Sequence, residues 1–264
     1  MTAPAPSPPR SGLRLAVGQI GYQNRLVVRS PTGPFFTLVI PLMVLVALNL
    51  VYGNRPVPSR GGLEFSHFYT PAMAAFAITN ACYVNVLTGV TLSRDEGMLK
   101  RFRSTPLPSW AYFFGRAVSA ALVALLSATA VFLVGAAVYG VRFPWDDAGA
   151  LLLAGGLGMM CFTMLGLAVS ASVPSAGAAL PVAYGTLLPL CFISDVFFPL
   201  DTSPRWLRTL ASALPLRPLA RSLEAPFAPR YTGVNWVELG VLCAWALAGA
   251  VLVATRFRWD PRGS

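Results

Sequence analysis

The sequence predicts an all-α integral membrane protein with six transmembrane helices, and three observations predict it. Hydrophobic residues make up 55% of the 264-residue chain and charged residues 11%, against roughly 45–50% and about 25% in an average soluble domain. A chain so poor in charge has too few polar side chains to cover a folded surface in water. Six predominantly apolar runs of membrane-spanning length recur along it, bounded by Pro, Gly or charge. Nineteen of the twenty Lys and Arg residues fall outside those runs, and the other, Arg116, lies near the end of one. The net charge of +10 therefore faces anionic headgroups in this reading and not nucleic acid. Intrinsic disorder requires low hydrophobicity, and a disulfide scaffold requires far more than the four isolated cysteines present.

The first 34 residues are a Pro-rich tail, Thr2 to Pro9, followed by a basic amphipathic stretch, Gly12 to Arg29. There Arg14, Gly18, Arg25 and Arg29 share one helical sector while Leu13, Val17, Ile20 and Val27 gather opposite. This pattern suits a helix lying in the interface plane, or a plain juxtamembrane helix with snorkelling arginines. No small-residue cleavage site closes the first apolar run, so a secretory signal peptide is not expected. The transmembrane domain occupies residues 35–254, with spans at 35–51, 69–92, 112–139, 148–169, 176–198 and 237–254, and residues 255–264 form a C-terminal tail. Pro41 in the first span, and Pro181 and Pro189 in the fifth, predict kinks. Twelve Lys and Arg residues flank the spans on the side of the termini, against eight on the other. The positive-inside rule then places both termini in the cytoplasm.

Two connections carry further amphipathic helices. Between spans two and three, residues 93–108 open with Ser93 and Glu96 in capping-box spacing and close at Pro106. Met98, Leu99 and Phe102 share an apolar ridge, and Glu96 and Lys100 form an i,i+4 pair. Such a helix, anchored at both ends to spans, suits docking into another protein's groove; an ordinary solvated loop helix is the alternative. Between spans five and six, residues 204–224 repeat apolar positions at i, i+3, i+4 and i+7 on either side of Pro215: Leu207, Leu210, Ala211 and Leu214, then Leu216, Leu219, Ala220 and Leu223. Two short external helices lying on or dipping into the outer leaflet follow, either sealing the bundle or lining an exit for an amphiphilic substrate.

Catalytic and cofactor signatures are missing, so the chain reads as no enzyme, with no catalytic, cofactor-binding or metal-ligating residues. Its one lysine, Lys100, sits between Leu99 and Arg101 and belongs to no P-loop. One histidine, His67, cannot build a two-histidine zinc protease site. Ionisable groups within spans are functional candidates by default. Asp195 is placed to meet a cationic substrate or an external arginine such as Arg205 near an outer gate, with Phe198 one turn on. Glu238 and Arg116 are close enough to span ends to snorkel. In span two, Asn80, Asn85 and Thr88 need partners in hydrocarbon. Interhelical hydrogen bonds and a translocation path are both open to them, with Asn80 and Thr88 near one face and Asn85 off it.

The stretch Glu96-Gly97-Met98-Leu99-Lys100-Arg101-Phe102-Arg103-Ser104-Thr105-Pro106-Leu107-Pro108 resembles the E-x-G-x-L-x-R-L-R-x-x-P-x-P motif of ABC-2 type exporter permeases, particularly the bacterial drug-resistance group related to daunorubicin exporters. Phe197-Phe198-Pro199-Leu200, Pro204-Arg205-Trp206-Leu207 and Leu214-Pro215 are similar to another recurring feature of that group. Phe102 stands where the group usually has Leu, and Asp195 where it more often has a small residue. The resemblance covers nearly the whole chain. It implies a coupling helix in which Arg94, Glu96, Gly97, Met98, Leu99, Lys100, Arg101, Phe102 and Arg103 dock on a separate ATP-binding subunit, which binds ATP and Mg. It further implies pairing with a second permease, identical or sister, in the bacterial cytoplasmic membrane and export of an amphiphilic drug, antibiotic or lipid-like molecule. An ion-gradient-driven secondary transporter or channel is the rival reading; it expects inverted repeats and more buried carboxylates.

Overall fold

The computed structural model describes residues 21, 32–52, 56–57, 63–97, 109–197, 200, 203–228 and 233–256. The expected interfacial helix, apart from Gly21, lies outside these residues, as do residues 98–108 and Phe198. Helix α1 (Thr32–Tyr52) leads into a short antiparallel pairing of β1 (Pro56–Val57) with β2 (Leu63–Glu64). Helix α2 (Phe65–Asp95) follows, then α3 (Ser109–Tyr139), α4 (Ala148–Ser170) and α5 (Ala176–Phe192). Two short helices, α6 (Arg205–Ala213) and α7 (Leu216–Glu224), precede α8 (Trp236–Arg256).

Among the described residues five helices are long and apolar enough to cross a membrane: α1, α2, α3, α4 and α8. The expected fifth span was to run from residue 176 to 198, but α5 stops at Phe192 after 17 residues. That is about 25 Å at 1.5 Å per residue, short of a hydrocarbon core of about 30 Å. The Ile193 N–H closes the last turn on the Pro189 carbonyl at 3.3 Å. Asp195 then adopts a φ of +61°, in the left-handed region that no right-handed helix can pass through.

Helix α2 is the axis of the fold. Of its apolar window 83% is buried inside the protein, against 22% for α1 and α8 and 28% for α3. Phe68, Tyr69, Met73 and Phe76 fill its surroundings, packed against α1, α3, α4 and α7. On the outer faces of the bundle Met43, Leu50, Leu126, Leu133, Leu247 and Val251 are exposed, which is the arrangement hydrocarbon demands and water forbids.

Midway along α2 the turn Asn80–Val84 is π-helical, a one-residue expansion often found at functional sites. The widened backbone needs a small neighbour, and Gly166 of α4 supplies it. A Cβ there would lie 2.9 Å from the Tyr83 carbonyl oxygen and 3.2 Å from that of Cys82. Small residues at other crossings act alike: a Cβ at Gly135 of α3 would come within 2.5 Å of Thr70, and one at Gly158 of α4 within 2.4 Å of Leu219.

The external pair was expected to lie on or dip into the membrane surface, and α7 goes further. Leu216, Leu219, Ala220 and Leu223 are all buried, with Leu219 seated in the notch at Gly158. α6 stays at the rim, with Trp206 and Leu210 exposed.

Gly166→Ala is expected to destabilise the chain by about 1–3 kcal/mol through overpacking against the π turn. Gly156→Ala, which meets nothing within 4 Å, should be silent. Thermal midpoints of the two purified variants in detergent check this.

Candidate functional site

Two ionic clusters sit at opposite ends of the bundle. At the end of α2, Arg94 is 3% exposed. Its Nη1 donates to the Ser170 carbonyl at 3.1 Å and its Nη2 to the Val173 carbonyl. These oxygens terminate α4 and the turn after it, where the last carbonyls of a helix lack intrahelical donors. Beside it, an Asp95 carboxylate oxygen accepts the backbone N–H of Ala176, the first residue of α5. A cation thus meets a helix C-terminus and an anion a helix N-terminus, each the favourable sign for the helix dipole. One dipeptide ties the ends of three helices together.

This placement corrects the expected capping box. Ser93 lies inside the last turn of α2, and the helix runs on to Asp95. Gly97 stops it with a φ of +68°, its N–H bonded to the Arg94 carbonyl at 3.0 Å, while the Glu96 N–H reaches the Leu92 carbonyl at 3.0 Å. That is a glycine-terminated C-cap. The Ser-x-x-Glu letters sit where one helix ends and not where a new one begins. Arg94, expected on a docking surface, is interior; Glu96 is exposed and Gly97 half-buried. Met98, Leu99, Lys100, Arg101, Phe102 and Arg103 lie outside the described residues.

The polar residues of α2 face different partners. The Asn85 amide donates to Thr37 Oγ1 of α1 at 2.9 Å. The Asn80 Oδ1 accepts from the Tyr184 hydroxyl of α5 at 3.3 Å, while its buried Nδ2 has no hydrogen-bond partner among the described residues. Tyr83 and Thr186 join hydroxyls at 2.7 Å, adding a second tie between the π turn and α5. Thr88 bonds back to the Val84 carbonyl at 2.7 Å. Arg116, expected to snorkel, instead sends its guanidinium to the Asn85 carbonyl, through the space left by Gly89, where a Cβ would overlap it.

At the opposite end Asp195 is 1% exposed. Its Oδ1 accepts the Leu200 N–H at 2.6 Å, and its Oδ2 accepts Nε of Arg217 at 2.7 Å and Nε of Arg221 at 3.2 Å. Arg217 is itself buried and spends Nη1 on the Arg208 carbonyl at 2.7 Å. The bonds from Arg217, Arg221 and the Leu200 N–H compensate the carboxylate for its removal from water. The left-handed backbone at Asp195, a strain of order 1 kcal/mol, is held by these three bonds. The expected partner Arg205 is not among them. Nearby, the Tyr69 hydroxyl donates to the Phe197 carbonyl, and Phe197 packs edge-on against Phe76 and Phe192. Glu238, expected to snorkel, accepts from Ser222 Oγ at 3.4 Å.

Arg217 escaped the sequence reading although Arg217 and Arg221, four apart on one helix face, offered the signal. What local periodicity does not carry is that α7 turns back into the bundle and brings this face to a residue 22 positions earlier.

A bundle of apolar helices around one buried axis, latched by charge at both ends, is that of a multi-pass membrane protein. Residues 20–227 match the family described as ABC-2 type transporter, and the chain belongs to that family. It is 27% identical over 164 residues to the Escherichia coli (strain K12) protein named "Probable multidrug ABC transporter permease YbhR", covering 59% of this chain and 42% of that one. It is also 27% identical over 191 residues to the "Daunorubicin resistance ABC transporter permease protein DrrB1" of Streptomyces coeruleorubidus, covering 68% of this chain and 62% of that one. The chain spans less than two thirds of the length of both relatives.

Arg217→Met is expected to cost about 3 kcal/mol, the low end for a broken buried ion pair because Arg221 still reaches Asp195. Arg205→Met, at an exposed site, should cost less than about 0.5 kcal/mol. Thermal midpoints in detergent distinguish the two.

Proposed function

We propose that this chain is the permease subunit of an ATP-driven exporter that moves an amphiphilic molecule, such as a drug, antibiotic or lipid-like compound, out of a bacterial cytoplasm. ATP and Mg belong to a separate ATP-binding subunit, and two permeases, identical or sister, form the passage. The family and the names of the relatives support this reading. The short helix α5 crosses as the fifth of six spans with help from the turn beyond it, and both termini are cytoplasmic. The N-terminal segment from Gly12 to Arg29 lies along the inner interface.

The observation that carries the proposal is the Arg94–Asp95 latch. Residues 96–103 follow it directly in the chain. Docking of Glu96, Gly97, Met98, Leu99, Lys100, Arg101, Phe102 and Arg103 on the ATP-binding subunit applies force at Gly97. Arg94 and Asp95 pass that force to the end of α4 and the start of α5 at once, so three helix ends move as a unit. Asn80 is the candidate for the translocation path, since its Nδ2 remains unspent beside Tyr184, whereas Asn85 and Thr88 hold helices together. Asp195 locks the outer end through Arg217 and Arg221, with Phe198 at the gate, and is not a contact for cationic cargo. Ion-gradient transport is disfavoured because the buried Asp195 carboxylate is neutralised by two arginines and is not free to carry protons.

The test is charge reversal at the docking segment. With the ATP-binding subunit and daunorubicin as probe, Arg101→Glu should abolish drug stimulation of ATP hydrolysis while leaving membrane insertion intact. Normal stimulation in that variant would refute docking through this segment.

A further inference from the structure

Four arginines converge on one cavity at the Asp195 end of the bundle. The polar face of α6 carries Arg205, Arg208, Thr209 and Ser212 at i, i+3, i+4 and i+7, and α7 presents Arg217 and Arg221 opposite. The space between them is an open groove of about 400 Å³, within the range of small-ligand sites. Its charge is unbalanced. Asp195 lies buried behind it and engages Arg217 and Arg221. No described carboxylate comes within ion-pair distance of Arg205 or Arg208. Asp195 offsets Arg217 and Arg221 in part, and Glu238 lies within electrostatic reach of the same pair, so the unmatched positive charge sits on Arg205 and Arg208. The Thr209 and Ser212 hydroxyls beside them already donate to the Arg205 and Thr209 carbonyls.

The level of the cavity is set by aromatic residues. Trp206 and Leu210 occupy the other face of α6 and are 67% and 48% exposed. Trp236, 72% exposed, opens α8 two residues before Glu238, which bonds Ser222 of α7. Trp145, 79% exposed, lies tilted against Phe143, which meets Phe227 just past α7. Exposed tryptophans ringing one end of a membrane bundle mark the headgroup layer. The guanidinium fork is suited to phosphate oxygens, which it binds bidentately.

The geometry points to an oxyanion-binding site between α6 and α7 that takes the phosphate of an anionic phospholipid headgroup. The lipid's acyl chains then lie along Trp206 and Leu210, which face away from the cavity on the same helix. A soluble phosphate compound would offer the same oxyanion without those chains. The site is independent of ATP-driven export and tests separately from it.

Full-length chain is placed in nanodiscs of phosphatidylcholine containing a minor fraction of phosphatidylglycerol, released, and its retained lipids counted by native mass spectrometry. Wild type should keep phosphatidylglycerol selectively. Arg205→Gln/Arg208→Gln should keep at least about tenfold less, the loss expected for two charge-assisted contacts. Arg205→Lys/Arg208→Lys, which keeps the charge, should retain part of the selectivity and guards against a fold defect in the Gln variant. Arg142→Gln removes an exposed charge from the same end and should behave as wild type. In a second arm inorganic phosphate is titrated into chain held in phosphatidylcholine alone and followed by phosphorus NMR line width. Broadening lost in the Gln variant, without phosphatidylglycerol selectivity, keeps the oxyanion site and assigns it to a soluble ligand. Equal retention by wild type and the Gln variant in both arms, or equal loss in Arg142→Gln, overturns the site.

Discussion

Everything at the Arg94 end of this protein depends on where one buried guanidinium spends its hydrogen bonds. A cation withdrawn from water next to hydrocarbon must be matched by acceptors, and the carbonyls of Ser170 and Val173 provide them. Those carbonyls in turn would be orphans at a helix terminus without Arg94. Each side of the contact therefore solves the other's problem, and Asp95 repeats the exchange with opposite sign at Ala176. Because α2 is the most enclosed helix, whatever is fixed to its end is fixed to the centre of the fold.

The far end uses the same economy with different parts. Asp195 is taken out of helical geometry, and its carboxylate is surrounded by the Leu200 N–H and two arginines. The aromatic contacts of Phe197 with Phe76 and Phe192 brace the turn. Between the ends, the π turn of α2 offers Tyr83 and Asn80 to α5, the helix shortest for the membrane. A transporter needs parts that hold and a part that gives. The latched ends hold, while the π turn and the short, proline-bearing α5 are where the packing is least regular.

Much of this was legible beforehand. Apolar runs separated by charge placed α1 to α4 and α8, since hydrocarbon leaves only helices as spanning elements in a chain of this kind. The i, i+3, i+4, i+7 spacing of Leu216, Leu219, Ala220 and Leu223 gave the buried face of α7. Ser93 and Glu96 misled because Ser, Glu and Gly near a helix boundary are compatible with a start or a stop. The choice is made by Gly97 adopting positive φ and by Arg94 finding acceptors 76 and 79 residues away. Asp195 stands out in the sequence as an ionisable group within a span, yet Arg205 is nearer in sequence than Arg217, and only the inward turn of α7 at Pro215 decides between them. The C-terminal end of α5 was overrun for a related reason: hydrophobicity continues past Phe192, but the helix does not.

The most direct test of the latch as the link between docking and transport is Arg94→Gln, purified with the ATP-binding subunit in nanodiscs, with ATP hydrolysis measured with and without daunorubicin. The subunits are expected to stay associated, because the proposed docking segment is untouched, and drug stimulation of hydrolysis to fall at least about tenfold, as the loss of a charge-assisted buried contact implies. Unchanged stimulation in a correctly inserted variant would contradict it.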